Sequence, residues 1–208
     1  MSQGRGYRGE VKRIVLAGGI GAGKSTVVDY LRSMDYVAVD ADEVYRDLVS
    51  RGQPLLGVLV DAFGSAVLTA DGELDRTFLA SVVFADASAR SRLDAITHPA
   101  VGREMRSQLD AATGDAVFAA IPLFRPEHRD ALSIDEVWSV QVAPEIAIDR
   151  LVDQRGMSEA DARARIASQM SNEQREHFAD EIIWNNTDRD ALRTRVDELL
   201  AERGLDGH

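Results

Sequence analysis

The sequence predicts an α/β protein whose central parallel sheet has about five strands and is covered by helices on both faces, which gives three layers. Two observations predict this class. The first 42 residues read as a strand, a glycine-rich turn, a helix and a second strand, which together form a βαβ unit. Farther along the chain, short apolar runs alternate with helical segments, as they do when each new parallel strand follows a crossover helix.

The predicted strands are short runs of apolar residues. The first, residues 13–17, ends before Gly18, as a buried parallel strand ends before a turn. A helix is predicted from Ser25, because apolar residues recur there at helical spacing. The other predicted strands are residues 36–39, 116–121, 137–142 and 181–184, and a last amphipathic helix spans residues 188–203.

Two helical segments interrupt the predicted sheet. Residues 43–112 lie between strands two and three and contain no clear buried strand, so we expect a helical insertion. Residues 145–177 are helical and charged, and we expect them to form a helical lid. The core that holds the sheet is then expected to combine residues 12–42, 113–144 and 178–208, and residues 1–11 are expected to be a disordered leader.

The composition narrows the classes of function. Of the 208 residues, 45% are hydrophobic and 28% are charged, which is typical of a folded domain with a buried core. The net charge of −11 argues against a general nucleic-acid binder, which needs a basic face to displace counterions. The chain has no cysteine, and no apolar run approaches the ~18 residues of a membrane span. We therefore expect a cytoplasmic protein that acts on a small molecule, without nucleic-acid, membrane or obligate protein partners.

Residues 18–25 read Gly-Gly-Ile-Gly-Ala-Gly-Lys-Ser, which fits the phosphate-binding P-loop pattern G-x-x-x-x-G-K-[ST]. The glycines let successive backbone N–H groups surround phosphate oxygens, and the following helix directs its positive end at them. Of the 24 basic residues only Lys12 and Lys24 are lysines, so a lysine at this position indicates that an ammonium group is required. Lys24 is expected to bind the β and γ phosphates of ATP, and Ser25 to bind Mg²⁺. The expected ATP-binding residues are Gly19, Ile20, Gly21, Ala22, Gly23, Lys24, Ser25 and Thr26.

Among the P-loop classes, the rest of the chain favours a kinase. It lacks the Asn-Lys-x-Asp motif of GTPases, and strands three and four do not end in the acidic pair of motor ATPases. Asp40 and Asp42 follow strand two, at the strand ends where ligands of open α/β sheets bind. A carboxylate there can take the proton of an attacking hydroxyl, and Asp42 is the preferred candidate. Asp40 opens an Asp-x-x-Glu capping box, so a helix cap is an equally good interpretation of this residue.

The predicted lid contains five arginines, and a lid over a transferring phosphate needs such charges. Glu159 with Arg163, and Asp161 with Arg165, have the i,i+4 spacing of ion pairs on a solvated helix face. Arg155 has no such partner and precedes a glycine at a break between helices, so it is the preferred catalytic arginine.

The pair His98-Pro99 lies within the helical insertion. Proline is common in the first turn of a helix, and threonine is a good cap. We therefore interpret this pair as a junction between two helices, with Thr97 capping the second helix and Pro99 in its first turn.

Taken together, these features resemble those of the bacterial dephospho-coenzyme A kinases, a family of P-loop kinases. The family usually has Pro-Leu-Leu followed closely by Glu after strand three, where this chain reads Pro122-Leu123-Phe124-Arg125, and it often has Thr and Asp in place of Ala17 and Trp184. The matching residues, in chain order, are residues 18–26, Asp40-Ala41-Asp42, residues 71–76, Phe84, His98-Pro99, Arg155, Gln169 and Asn185-Asn186.

The resemblance implies phosphorylation of the ribose 3′-hydroxyl of dephospho-CoA, with ATP and Mg²⁺ as cofactors and residues 43–112 as the coenzyme A-binding domain. Two alternatives remain. One is a kinase for another small acceptor, such as a nucleoside monophosphate, and the other is a nucleotide-binding regulator without turnover. The residues that the resemblance implies are Asp42 as the base, Arg155 and Asn185 near ATP, and Asp40 and His98 on the acceptor side.

Overall fold

A computed structural model describes residues 11–205, so the predicted leader lies outside the described residues except for Val11. None of the helices in the described range is both long enough and apolar enough to cross a membrane. The strands are β1 (Lys12–Gly18), β2 (Val37–Asp40), β3 (Ala116–Ala120), β4 (Glu136–Gln141) and β5 (Glu181–Trp184). The helices are α1 (Lys24–Ser33), α2 (Ala41–Leu48), α3 (Pro54–Phe63), α4 (Arg76–Ala85), α5 (Ala87–Ala111), α6 (Glu127–Leu132), α7 (Pro144–Arg155), α8 (Glu159–Ala167), α9 (Asn172–Glu176) and α10 (Arg189–Glu202).

The five strands form one parallel sheet in the order β2-β3-β1-β4-β5, which confirms the predicted fold class. The central strand is β1, in which Leu16 pairs with Ala120 of β3 and Gly18 pairs with Val140 of β4. The strand order therefore changes direction at β1. In open α/β sheets, ligands bind beyond the carboxyl ends of the strands at such a point.

Both faces of this sheet are covered. Successive side chains of a strand point to opposite faces, yet Ile14, Val15 and Leu16 of β1 are all fully buried. On the face of Ile14 and Leu16, the core includes Val27 of α1 and Val196 of α10. Burial on both faces explains why the strands read as continuous apolar runs rather than as alternating ones.

The described chain divides into two compact units. The first takes the described parts of Met1–Val39 and Ala111–His208, and it holds the sheet with α1 and α6 to α10. Helices α7 to α9, which span the predicted lid, thus belong to the same unit as the sheet. The second unit, Asp40–Asp110, has its own core of Val49, Leu56, Leu59, Val67, Leu74 and Leu79.

Helix α5 carries the pair His98-Pro99 in its interior, so the predicted helix junction is wrong. Thr97 does not cap a new helix, because its hydroxyl donates to the carbonyl oxygen of Leu93 one turn earlier. Pro99 has no N–H, so the carbonyl of Ala95 loses its helical partner. Ala95 and Pro99 are both exposed, so water can bind that carbonyl and the helix continues.

Candidate active site

The turn between β1 and α1 has the backbone of a phosphate-binding loop. Strand β1 ends at Gly18, and Gly23 forms the N-cap of α1 in the left-handed conformation, with φ of 95°. A Cβ atom on Gly23 would lie 2.2 Å from Nδ2 of Asn185, and one on Gly18 would lie 2.5 Å from the carbonyl oxygen of Val140. The backbone of Val140 in β4 and the side chain of Asn185 after β5 therefore favour glycine at these positions, apart from any requirement of a ligand.

The first turn of α1 presents positive charge. Gly23 has no side chain with which to cap the helix, and the first turn contains no acid, so its N-terminal N–H groups keep their partial charge. Nζ of Lys24 donates to the carbonyl oxygen of Gly18 at 3.3 Å, which holds the ammonium group at the loop. Ser25, beside it, is exposed. The structure thus brings the predicted residues 19–26 together at the carboxyl end of the central strand.

Asn185 and Arg150 bind carbonyl groups of the loop. Asn185 follows β5, is 6% exposed, and donates from Nδ2 to the carbonyl oxygen of Ala22 at 2.8 Å. Arg150 of α7 donates to the carbonyl oxygen of Gly21 at 3.3 Å and to that of Asn185 at 2.9 Å. Side-chain donors that fix the loop carbonyls in this way also fix the direction of the backbone N–H groups, which is the property an anion site needs.

The predicted lid segment contacts the loop at Ile20. The N–H of Ile20 donates to Oε1 of Gln169 at 2.9 Å. The Ile20 side chain packs against an apolar cluster of Ile148, Leu151 and Ala162. Helices α7 and α8, together with the turn after α8, therefore support the loop by both hydrogen bonding and apolar packing.

One of the two predicted ion pairs of the lid is confirmed. Arg163 donates to Glu159 at 2.9 Å on the exposed face of α8. The other predicted pair, Asp161 with Arg165, is wrong, because the Asp161 carboxylate accepts from the hydroxyl of Ser158 at 2.7 Å. Ser158 caps α8, so Asp161 is used at the start of the helix rather than along its face.

The arginines of the lid differ in exposure. Arg155 is exposed at the end of α7, and Gly156 after it is left-handed, as the predicted helix break requires. Arg175 of α9, by contrast, is buried and lies against Gly19 of the loop. Sequence reasoning missed Arg150 and Arg175 as loop contacts. In a segment with five arginines, no spacing signal distinguishes those that face the loop.

The acceptor-side candidates all belong to the second unit. Oδ1 of Asp40 accepts from the N–H groups of Asp42 at 2.8 Å and Glu43 at 3.2 Å, which confirms the predicted helix cap. Asp42 is exposed in the first turn of α2, where a carboxylate complements the helix dipole. His98 is exposed on α5, and its Nε2 lies 3.7 Å from Oδ1 of Asp94.

The segment after β3, where the sequence departs from the family pattern, is partly packed. Phe124 is 2% exposed, and its ring centroid lies 5.7 Å from those of His128 and Phe178. Leu123 is 61% exposed. The N–H of Arg125 donates to Nδ1 of His128 at 3.1 Å. The aromatic residue at position 124 is therefore a packing residue of the first unit.

A parallel sheet whose central strand leads through a G-x-x-x-x-G-K-S loop into a helix defines a P-loop protein of the kinase type. Residues 13–191 match the dephospho-CoA kinase family. The chain belongs to that family.

Individual relatives support this assignment along nearly the whole chain. The dephospho-CoA kinase of Streptomyces avermitilis is 44% identical over 191 residues, which cover 91% of this chain and 93% of that protein. The dephospho-CoA kinase of Corynebacterium glutamicum is 41% identical over 193 residues, which cover 91% of this chain and 96% of that protein. Among solved structures, TT1252 from Thermus thermophilus is similar with a TM-score of 0.77 at 28% identity, covering 93% of this chain and 98% of that chain.

Proposed function

We propose that this protein transfers the γ-phosphoryl group of ATP to the 3′-hydroxyl of dephospho-CoA, which gives CoA and ADP. The observation that carries the proposal is the loop at residues 18–25, whose shape suits phosphates in a chain of the dephospho-CoA kinase family. In phosphoryl transfer the protein mainly positions the reactants and stabilises charge, and it takes little part in covalent chemistry.

Residues 19–26 are the proposed ATP site. Backbone N–H groups of this loop other than that of Ile20, which donates to Gln169, and the Lys24 ammonium would bind the phosphates, and Asn185 would keep the loop in shape through the carbonyl of Ala22. The hydroxyl of Ser25 is an exposed hard oxygen in the first turn of α1, which suits Mg²⁺ because Mg²⁺ prefers oxygen ligands. When bound, Mg²⁺ supplies charge that neutralises the β and γ phosphate oxygens.

Asp42 is the proposed general base. As the acceptor oxygen bonds to the γ-phosphorus, its proton passes to the Asp42 carboxylate, and ADP leaves with the electrons of the broken phosphorus–oxygen bond. Asp40 orients this base, because it caps the helix whose first turn carries Asp42. Asp40 and His98 complete the proposed acceptor site.

The second unit is the proposed binding domain for the rest of the acceptor, which includes an extended pantetheine arm. The proposed binding domain takes residues 43–112, most of which belong to this unit, and residues 145–177 are the proposed lid. Leu59 and Leu79 serve the core of this unit and are buried. Large apolar side chains exposed on this unit, which are available to cover the arm, include Val58 (46%), Phe78 (38%) and Phe84 (83%).

An acceptor panel tests the proposed function. With purified protein and Mg·ATP, ADP formation should be at least about a hundredfold more efficient, in kcat/KM, with dephospho-CoA than with AMP, CMP, UMP or dTMP. The reason is that a nucleoside monophosphate lacks the pantetheine arm, so it cannot use the contacts that the second unit is proposed to make with that arm. Comparable activity with any of these monophosphates would favour the alternative acceptor, and ATP binding without acceptor-dependent ADP release would favour a regulator.

The lid arginine gives a second test. Arg155→Ala should lower kcat at least about tenfold with little change in ATP affinity, since a charge that meets the transferring group acts mainly in the transition state. Arg163→Ala is the matched control and should change neither, because Arg163 is bound to Glu159 on an exposed helix face. Steady-state kinetics and ATP titration measure both variants. Equal kinetic damage from the two would show that the wrong face of the lid has been assigned to ATP.

A further inference from the structure

Arg175 lies buried against the phosphate-binding loop. It belongs to α9 and is 6% exposed. A Cβ atom on Gly19 would lie 3.1 Å from Nη2 and 3.3 Å from Nη1 of Arg175, so the guanidinium group rests against the backbone of Gly19. Gly19 directly follows the central strand, and the ammonium group of Lys24, the first residue of α1, donates to the carbonyl oxygen of the preceding residue, Gly18.

Asn172 holds Arg175 in this place. Oδ1 of Asn172 accepts from Nη1 of Arg175 at 3.3 Å, and Nδ2 of Asn172 donates to the carbonyl oxygen of Val142 at 2.9 Å. Gln141, the last residue of β4, donates from Nε2 to the carbonyl oxygen of Asn172 at 3.3 Å. Ser171 begins α9 with a capping box. The guanidinium is therefore positioned by protein contacts that lead to the end of β4, the strand next to β1.

Arg175 has no anionic partner within residues 11–205. Its guanidinium donates to the neutral amide oxygen of Asn172, and burial, with no carboxylate to oppose it, lowers the pKa of the guanidinium. Arg203 shows the usual arrangement, because its enclosed guanidinium contacts both Glu136 and Glu181. A buried cation is costly unless an anion pairs with it. The position of Arg175 therefore suits an anion that is not part of the described chain.

We infer that Arg175 is a second cation of the ATP site and that its guanidinium group binds phosphate oxygens of the nucleotide beside Gly19. This assignment rests on the ATP half of the proposed function and is independent of the acceptor. A guanidinium group can donate two parallel N–H bonds to the oxygens of one phosphate, which the ammonium group of Lys24 cannot do. The polyphosphate chain is then held by two cations, the ammonium group of Lys24 and the guanidinium group of Arg175.

Inorganic tripolyphosphate tests this contact without a nucleoside or an acceptor. In calorimetric titration, Arg175→Met should bind tripolyphosphate at least about tenfold more weakly than the parent, because a charge-assisted pair of hydrogen bonds is lost. Arg175→Lys should recover part of the affinity, since lysine restores the positive charge but not the pair of parallel N–H donors. The matched control is Arg165→Met on the exposed side of α8, which should bind within about twofold of the parent.

The melting temperature of the ligand-free protein separates this role from a structural one. Arg175→Met should melt at the parent temperature or above it, because the change removes a buried cation without an anionic partner. Tripolyphosphate affinity that is unchanged in Arg175→Met would overturn the inference. The inference would also be overturned if Arg175→Met melted well below the parent, so that partial unfolding accounted for its weaker binding of tripolyphosphate. If Arg175→Met does not fold, Arg175→Gln, which keeps a donor for Asn172, takes its place in both measurements.

ADP formation with dephospho-CoA tests the proposed function separately. A parent protein that binds tripolyphosphate through Arg175 but does not phosphorylate dephospho-CoA would refute the acceptor and leave the role of Arg175 standing. An active parent whose Arg175→Met variant binds tripolyphosphate as tightly would refute the role of Arg175 and leave the function standing.

Discussion

Replacing Lys24 by alanine is expected to lower kcat at least about 100-fold, because a preorganised charge at a developing negative charge contributes roughly 3–4 kcal/mol in comparable sites. Lys24 is the first residue of α1, and its ammonium group is already held at the loop by the carbonyl oxygen of Gly18. The side chain contributes little to the apolar core, so the melting temperature should change by only a few degrees. Steady-state ADP formation and thermal melting measure the two effects.

Lys12 offers the matched control, because it is the other lysine of the chain. It is the first residue of β1, at the opposite end of the strand from the loop, and it forms an ion pair with Glu136. Burial favours a raised pKa for Glu136, but bonds from Lys12, Trp138 and Arg203 lower that pKa to about 2. Lys12→Ala should therefore affect stability and leave kcat nearly unchanged. A Lys24→Ala variant that melts like the parent and keeps more than a tenth of its activity would show that the loop is not the catalytic site.

Replacing Asp42 by asparagine is expected to lower kcat by about two to four orders of magnitude, which is the usual contribution of a general base. Asparagine has nearly the same shape and is tolerated in the first turn of a helix, so stability should change little. Acceptor-dependent ADP formation, measured at saturating ATP and dephospho-CoA, reports the rate, and denaturant unfolding reports the stability.

Asp40→Ala is the paired variant, and it should show the opposite pattern. Oδ1 of Asp40 accepts from two N–H groups at the start of α2, so alanine should cost about 0.5–2 kcal/mol of stability. Its rate should fall less than that of Asp42→Asn, because the base is still present. An inactive Asp40 variant beside an active Asp42 variant would exchange the two assignments.

The sheet and the loop could be predicted from sequence because their signals are local. Strands buried on both faces need continuous apolar runs, and residues 13–17 and 137–142 are such runs. The cap at Asp40 was equally readable, since its partners are the next residues along the chain. Local structure can be predicted from sequence where a residue interacts with its neighbours along the chain.

The wrong or missed predictions concern residues whose conformation or partner depends on tertiary structure. Pro99 ends helices in most contexts, but at an exposed site in α5 water can replace the lost hydrogen bond. Asp161 had two possible partners, and the cap residue Ser158 prevailed over Arg165. Arg175 was indistinguishable from the other arginines of the lid. Its position against the loop depends on the turn before α9 and on the bond from Gln141 at the end of β4. The spacing of residues within the lid gives no sign of these contacts.

The hydrogen bonds that shape the loop have a consequence for the order in which the protein matures. Loop residues 20–22 emerge early in synthesis, but their partners Arg150, Gln169 and Asn185 are made 129 to 163 residues later. A nascent chain that has not yet passed β5 carries every residue of the phosphate-binding motif but lacks Asn185 and its bond to the carbonyl oxygen of Ala22. We therefore expect competence to bind nucleotide to be acquired late, when the edge strand joins the sheet. Bound nucleotide in turn stabilises that edge, because a ligand that binds only the native state shifts the equilibrium toward it.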